Sequence, residues 1–350
     1  MAAGIIVIRI SLQRASQGQR LAKAVFGVDG KLLLNAGVEI NERYMARLRE
    51  HGVSEICVRA PHSGGSGFDD GVSDASHIDT IACAHACAAA VADGAPLPAG
   101  RAGEALEGAR DDIRRSRGKP VAVARARSDR DWWETHAGNV ALLAIATARA
   151  LGLERRQTVQ IGMGALLHDI GLIGLSPQPL SSPQQERDPR GRGHPVLGFQ
   201  SLMINPLVSA SSSVICLQHH ERLDGSGFPK GIGDGQVSLG AQVCAVADAY
   251  DLLIAPPPFG HGMMPHLALA ELRRQLDIAS AEILSAFASA IAPYPVGTTL
   301  RLSDGPEAVV IETAAAGASM RLRLVSNNGA PASRTVELSH DRWAEIQEVL

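Results

Sequence analysis

The sequence predicts a mainly α protein: a helical bundle with a small α+β module before it and a small β module after it. Three observations predict this. Apolar residues make up 45% of the chain but aromatics only 3%, and an Ala-rich, aromatic-poor interior suits closely packed helices better than a sheet sandwich. Residues 131–292 hold one apolar run after another at helical length. Residues 1–60 and 293–350 instead carry short alternating segments separated by turn residues.

In chain order, residues 21–26 read as a strand, Asp29-Gly30 as a hairpin turn and residues 31–34 as the returning strand. Asn41 is placed to cap a helix carrying Tyr44, Met45 and Leu48, with Gly52 ending it. Residues 55–58 then return to a strand pattern. Residues 61–79, rich in Gly, Ser and Asp at first, read as a linker. Residues 80–130 form a helical connector interrupted between Gly94 and Gly103. Its second half carries nine Lys/Arg against five acids over residues 101–130, an interleaving expected of a solvated helix face.

The long block, residues 131–292, contains apolar helices at 140–151, 159–167, 239–253 and 267–291, a helix start at Pro195 and a break at Asn205-Pro206. Beyond Tyr294-Pro295, strands are expected at 299–302, 308–312, 320–325 and 335–338, with turns at Asp304-Gly305 and Asn327-Asn328-Gly329 and a helical stub around Trp343. A chain of 350 residues accommodates these as one sizeable core with smaller modules. The paired glycines Gly162 and Gly164 follow no strand and so indicate close helix packing rather than a phosphate loop.

A formal charge of −3 argues against a general nucleic-acid coat and so against DNA as a partner. The five cysteines, Cys57, Cys83, Cys87, Cys216 and Cys244, are odd in number and show no disulfide rhythm, as expected of reduced thiols in the cytoplasm. Cys83-Ala84-His85-Ala86-Cys87 reads as a small-residue packing face, because on a helix His85 points away from both thiols. The apolar run at residues 4–8 is too short for a signal peptide, and no stretch approaches a membrane span.

Chemistry concentrates in the helical block. His168-Asp169 offers an imidazole and a carboxylate from one backbone site, and His136, His194, His219, His220 and Asp248 lie near the ends of other apolar segments. One such histidine is ordinarily a hydrogen-bonded core residue. Seven buried titratable groups would cost several kcal/mol each if left without partners, which favours a shared metal centre. Mixed imidazole and carboxylate donors suit Fe, Mn or Zn rather than Ca or Mg, and such centres activate water for hydrolysis.

The residues also carry a resemblance. His168-Asp169-Ile170-Gly171, His194-Pro195, the run from His219 through Asp224-Gly225-Ser226-Gly227-Phe228-Pro229, and Ala247-Asp248-Ala249-Tyr250-Asp251 resemble the HD-GYP subfamily of HD-domain phosphohydrolases. That resemblance implies an HD-type helical bundle over residues 131–292 and a metal-dependent phosphodiesterase of cyclic di-GMP. It implies two divalent cations, iron or manganese, with a hydroxide between them attacking phosphorus in line. Asp169 would bridge the cations; His136, His168 and Asp248 would hold one, and His194, His219 and His220 the other. Asp169 and His168 are thus the expected catalytic pair, and the 224–229 turn is expected to be structural.

Departures from the pattern concern the substrate grip. Phe228 stands where the family has its namesake Tyr, keeping the ring without the hydroxyl. Leu172 replaces a phosphate-holding Lys, and residues 252–260 carry no cation where the family brings an Arg and a Lys. Trp132 occupies the position of a Glu that supports a third metal in some members, so two metals are expected. The loop at 175–193 is short and lacks the family's helix. Each missing charge-assisted phosphate contact would cost about 1.5–3 kcal/mol. Arg222 and Lys230 are the substrate-binding candidates, with Arg187, Arg190 and Arg192 as further cations near the site. These losses motivate an alternative function, an HD-GYP signalling adaptor that binds protein partners such as diguanylate cyclases. A third reading is hydrolysis of another phosphorylated substrate.

Overall fold

The computed structural model describes residues 6–53, 55–60, 71–116, 119–123, 132–173, 191–254, 262–303, 307–313, 319–325 and 331–349. Strand β1 (Ile6–Ser11) opens the N-terminal module, followed by the short strands β2 (Val25–Phe26) and β3 (Leu32–Leu34), helix α1 (Glu42–Glu50) and strand β4 (Glu55–Ala60). β1 pairs antiparallel with β4, and β2 with β3. β1 is a strand absent from the sequence expectation, which weighed residues 4–8 only as a targeting segment. Its residues alternate through Ile6, Ile8 and Ile10, and β4 supplies the hydrogen-bonding edge that makes the run a strand. The expected strand at 21–26 shrinks to two residues, although Arg20 and Leu21 make isolated bridges to Glu39 and Val58. Asn41 caps α1 by accepting from the Tyr44 N–H at 2.9 Å.

Helices α2 (Asp74–Ala92) and α3 (Ala99–Arg115) follow, so helix begins inside the stretch read as linker, where the Ser73 side chain caps the Ser76 N–H. The helical core continues with α4 (Trp132–Ala150), α5 (Arg155–Leu166), α6 (Ile170–Ile173), α7 (His194–Met203), α8 (Ala210–Gln218), α9 (Leu239–Ile254), α10 (Pro265–Arg274) and α11 (Ala281–Ala290). The single helix expected at 267–291 is two: the Ser280 side chain caps a new start by accepting from Ile283 N–H. The Asp277 carbonyl between the two helices accepts from Leu223 N–H at 2.7 Å.

α4 is buried along almost its whole length, from Trp132 to Ala148, and packs against α2, α3, α5, α9 and α11. A helix buried on every side needs small residues where neighbours approach closely. A Cβ on Gly138 would meet Ile81 Cγ1 at 2.7 Å, one on Gly162 would meet Ile145 at 2.8 Å, and one on Gly164 would meet Ile215 at 2.7 Å. One continuous hydrophobic core runs from Val72 to Ile291 and includes Cys83, Leu106, Leu142 and Phe287. All five cysteines are free.

The C-terminal module is a five-stranded antiparallel sheet in the order β8-β7-β6-β5-β9, comprising β5 (Thr299–Leu302), β6 (Glu307–Glu312), β7 (Met320–Val325), β8 (Pro331–Leu338) and β9 (Ile346–Val349). The helical stub around Trp343 is a short 3-10 helix, His340–Glu345, that leads into β9. β9 escaped the sequence reading because Gln347 and Glu348 are polar; pairing with β5 makes it a strand. The Arg9 N–H of β1 donates to the Gly297 carbonyl at 3.0 Å, joining the first and last modules.

Candidate metal centre

Five segments of the helical core deliver the seven predicted residues to one place. His136 projects from α4, His168 and Asp169 sit in the turn between α5 and α6, and His194 is the first residue of α7. His219 and His220 follow the end of α8, and Asp248 lies in the middle of α9. All seven are buried. α6 meets α7 without any gap, since a Cβ on Gly171 would collide with the His194 carbonyl.

Asp169 organises the cluster. Its Oδ1 stands 3.0 Å from His194 Nε2 and 3.4 Å from His219 Nε2, while its Oδ2 stands 3.4 Å from His168 Nε2. On the Oδ2 side, His136 Nε2 lies 3.3 Å from His168 Nε2 and 3.1 Å from Asp248 Oδ1. The ligand atoms form two overlapping sets: His136 and His168 with Asp169, and His194, His219 and His220 with Asp169. Asp248 borders the first set through His136 and through His168 Nε2 at 3.8 Å.

Tautomers follow from the partners behind the rings. His168 Nδ1 donates to the Ala165 carbonyl at 2.7 Å, His194 Nδ1 to the Gly191 carbonyl at 2.6 Å and His219 Nδ1 to the Cys216 carbonyl at 2.8 Å. A carbonyl only accepts, so in each neutral ring Nε2 keeps its lone pair and turns it inward. His194 Nε2 and His219 Nε2 are 3.3 Å apart, beside a carboxylate oxygen. Asp169 Oδ1 and Asp248 Oδ1 are buried and accept no well-aligned hydrogen bond. Acceptors crowded around a common point repel one another unless a cation sits among them. The donor set therefore fits divalent metal.

The titration of the groups agrees. Burial pushes the Asp169 carboxyl up, but the neighbouring imidazoles His168 and His194 outweigh it and hold it well below the usual carboxylate range. Burial lowers His168, and burial with the adjacent His219 and His194 lowers His220 far below the ordinary imidazole value. His136 differs: burial would lower it, but hydrogen bonds to Asp248 and Asp251 raise it to about 9.

Asp251, read from sequence only as part of a motif, and Asn139, given no role there, support the cluster from behind His136. His136 Nδ1 donates to Asp251 Oδ2 at 2.7 Å, and Asn139 Nδ2 donates to Asp251 Oδ1 at 3.0 Å. The signal was present in the Asp248–Asp251 spacing, which puts both carboxylates on one face of α9. Trp132 stacks on His136 with centroids 5.0 Å apart and planes 13° off parallel. It thus covers the imidazole where a third-metal carboxylate was considered, and Glu134 is turned to His85 Nδ1 at 3.2 Å. Among the described residues no third ligand set occurs.

The rim is less polar than the floor. Leu172 is buried. Phe228 stacks on His220 at 4.5 Å and 18°, and the Arg192 guanidinium lies 4.9 Å above the Phe228 centroid. Arg222 is engaged with the backbone, donating to the His219 and Glu221 carbonyls at 3.3 and 3.0 Å. Lys230 is exposed, and its N–H donates to buried Glu221 at 2.8 Å. Glu221 also accepts from Ile232 N–H at 3.1 Å and so orders the turn below the histidines. Gly227 permits that turn, because a Cβ there would meet His220 O at 2.5 Å. Arg187, Arg190, residues 255–260 and most of the 175–193 loop lie outside the described residues.

Residues 118–278 match the family model described as HD domain. The match takes in all seven residues of the cluster. The chain is similar to a cyclic di-GMP phosphodiesterase of Pseudomonas aeruginosa, with 33% identity over 55% of this chain and 47% of that protein. It is also similar to the cyclic di-GMP phosphodiesterase response regulator RpfG of Xanthomonas campestris, with 35% identity over 37% of this chain and 35% of that protein. The chain thus spans half or less of the length of these curated relatives. An HDG"Y"P protein of Bdellovibrio bacteriovorus shares the fold, with a TM-score of 0.51 and 18% identity over 80% of this chain and 98% of that one. Among the described residues no helix is long and apolar enough to cross a membrane.

Proposed function

We propose that the HD domain is a metal-dependent phosphodiesterase acting on cyclic di-GMP or a related cyclic dinucleotide. The observation that carries this reading is Asp169, whose two oxygens face separate imidazole sets at 3.0–3.4 Å. That is the arrangement a carboxylate needs to bridge two cations. His136, His168 and Asp248 would hold one, and His194, His219 and His220 the other, with iron or manganese the metals this donor set suits. Bound cations supply an activated water and offset the charge that grows on the phosphoryl oxygens.

The chain's own residues prepare that chemistry. The Ala165, Gly191 and Cys216 carbonyls hold three Nε2 atoms inward. His136, His168, His194 and His219 are closed off from solvent, whereas Asp169, His220 and Asp248 each keep a small exposed area. Arg192, held over Phe228, is better placed than Arg222 to meet a phosphate, because Arg222 is occupied by two carbonyls. Manganese- or iron-loaded full chain is expected to convert cyclic di-GMP to linear dinucleotide or GMP, read by chromatography, and Asp169→Ala is expected to abolish it. A fully loaded protein that leaves the substrate intact would reject the proposal.

Leu172 favours a second reading, an adaptor in which the metal nest survives as a structural element. It predicts that Asp169→Ala retains binding to signalling partners such as diguanylate cyclases, whereas the enzymatic reading ties the cellular phenotype to the metal ligands.

A further inference from the structure

Away from the metal centre, the N-terminal module and the helical core line an open cleft with a cavity of about 230 Å³, with β2 and β4 on one side and α2 and α4 on the other. Its apolar wall includes Val25, Phe26, Ile78 and Ile81, and its charged groups are Arg9, Lys23, Glu55 and Asp74, with His51 and His77. The charges are balanced and already matched: Lys23 Nζ lies 2.7 Å from Asp74, and Arg9 Nη1 lies 3.6 Å from Glu55. A lone anion entering here would face two carboxylates, and a lone cation two basic groups. A zwitterion would meet a complementary partner at each end and leave the net charge unchanged.

The same cavity reaches the metal nest through a continuous hydrogen-bond chain. His77, which lines it, places Nε2 3.1 Å from Asn139 Oδ1. Asn139 Nδ2 donates to Asp251 Oδ1 at 3.0 Å, and Asp251 Oδ2 accepts from His136 Nδ1 at 2.7 Å. The polarity is fixed throughout: because the Asn139 amide nitrogen donates to a carboxylate, its oxygen must accept from His77. Asn139 and Asp251 are fully buried. Helices α2 and α4 also touch directly at Gly138 and Ile81, and Ile81 is itself part of the cavity wall.

We propose that this cavity binds a small zwitterion, an amino-acid-like molecule with an apolar body, and that His77, Asn139 and Asp251 couple its occupancy to the cation held beside His136. A cavity of this volume is smaller than the usual ligand site of about 300–1,000 Å³ and well below what a cyclic dinucleotide would need. The coupling half rests on the metal centre proposed above; the binding half does not. His77, Asn139 and Asp251 are positioning residues in this scheme, acting on His136 rather than on substrate.

Calorimetry on the metal-free full chain, with free leucine, glutamate and arginine as separate probes, tests binding. At least one should bind saturably, its N-acetyl and methyl-ester derivatives should bind roughly tenfold more weakly, and Lys23→Met should remove binding. No saturable binding, or equal binding of the blocked derivatives, overturns the site. Saturation with the bound amino acid should then change manganese affinity by about fivefold or more, and manganese should change amino-acid affinity by the same factor. Asn139→Leu should keep amino-acid binding and lose that shift. Amino-acid binding that leaves manganese affinity of the unaltered chain unchanged overturns the coupling without needing any variant. Failure of manganese to bind at all would instead count against the metal centre, and amino-acid binding would still be judged on its own.

Discussion

The two sides of the histidine nest share Asp169 but are supported differently. On one side, His194 and His219 are oriented by the main-chain carbonyls of Gly191 and Cys216. On the other, His136 is oriented by a side chain, Asp251, which is held in turn by Asn139. A carbonyl of the backbone cannot be removed by substitution and moves only with its helix. A carboxylate can be tuned, and it carries charge. The first side should therefore be rigid and insensitive to its surroundings, while the second responds to pH and to whatever acts on Asn139.

The largest expected effect comes from the residue common to both sides. Asp169→Ala should reduce metal content from about two ions per chain to none measurable by elemental analysis, because both ligand sets lose the carboxylate they share. Next, His194→Ala and His136→Ala should each leave about one ion per chain. If either variant lost both ions, the two sides would have to be a single cooperative unit.

Asp251→Asn isolates the difference in support. It should weaken the His136-side ion by about 10–100-fold and leave the other ion unaffected, as read by two-phase metal titration. The pH response sharpens the same contrast. An imidazole unfolds to an ordinary pKa of about 6.5, whereas in the fold Asp248 and Asp251 hold His136 at about 9. Its contribution to stability is complete below about pH 6.5 and is lost as pH rises through about 9. Metal-free protein should accordingly melt earlier as pH rises across that window, with the slope gone in His136→Gln. A cation competes with the proton at Nε2, so affinity for the His136-side ion should fall as pH drops below about 9.

The smallest effect is expected at the rim. Phe228→Ala removes the stack on His220 and should cost about 0.5–1.5 kcal/mol in thermal or denaturant unfolding. Phe228→Tyr should be close to neutral.

Motif residues were legible in the sequence wherever chemistry is written in residue type. His168-Asp169, His219-His220 and Asp248 are unusual in apolar surroundings, and the seven expected residues lie beside one another in the fold. Gly162 and Gly164 were likewise readable, because only close packing explains glycines within an apolar helix. Less was legible where a neighbour decides the outcome. β1 and β9 are strands because β4 and β5 offer them an edge. The helix expected at 267–291 divides because Ser280 caps a new start.

The sequence by itself determined the helical class and the donor chemistry, since hydrophobic periodicity and the rarity of buried titratable groups are local properties of the chain. Only the tertiary structure decided which oxygen of Asp169 faces which histidines, that Arg222 is used on carbonyls, and that His136 is backed by Asp251 and Asn139. Those are facts about direction, set by how five separate segments pack, and the order of residues along a chain does not specify them.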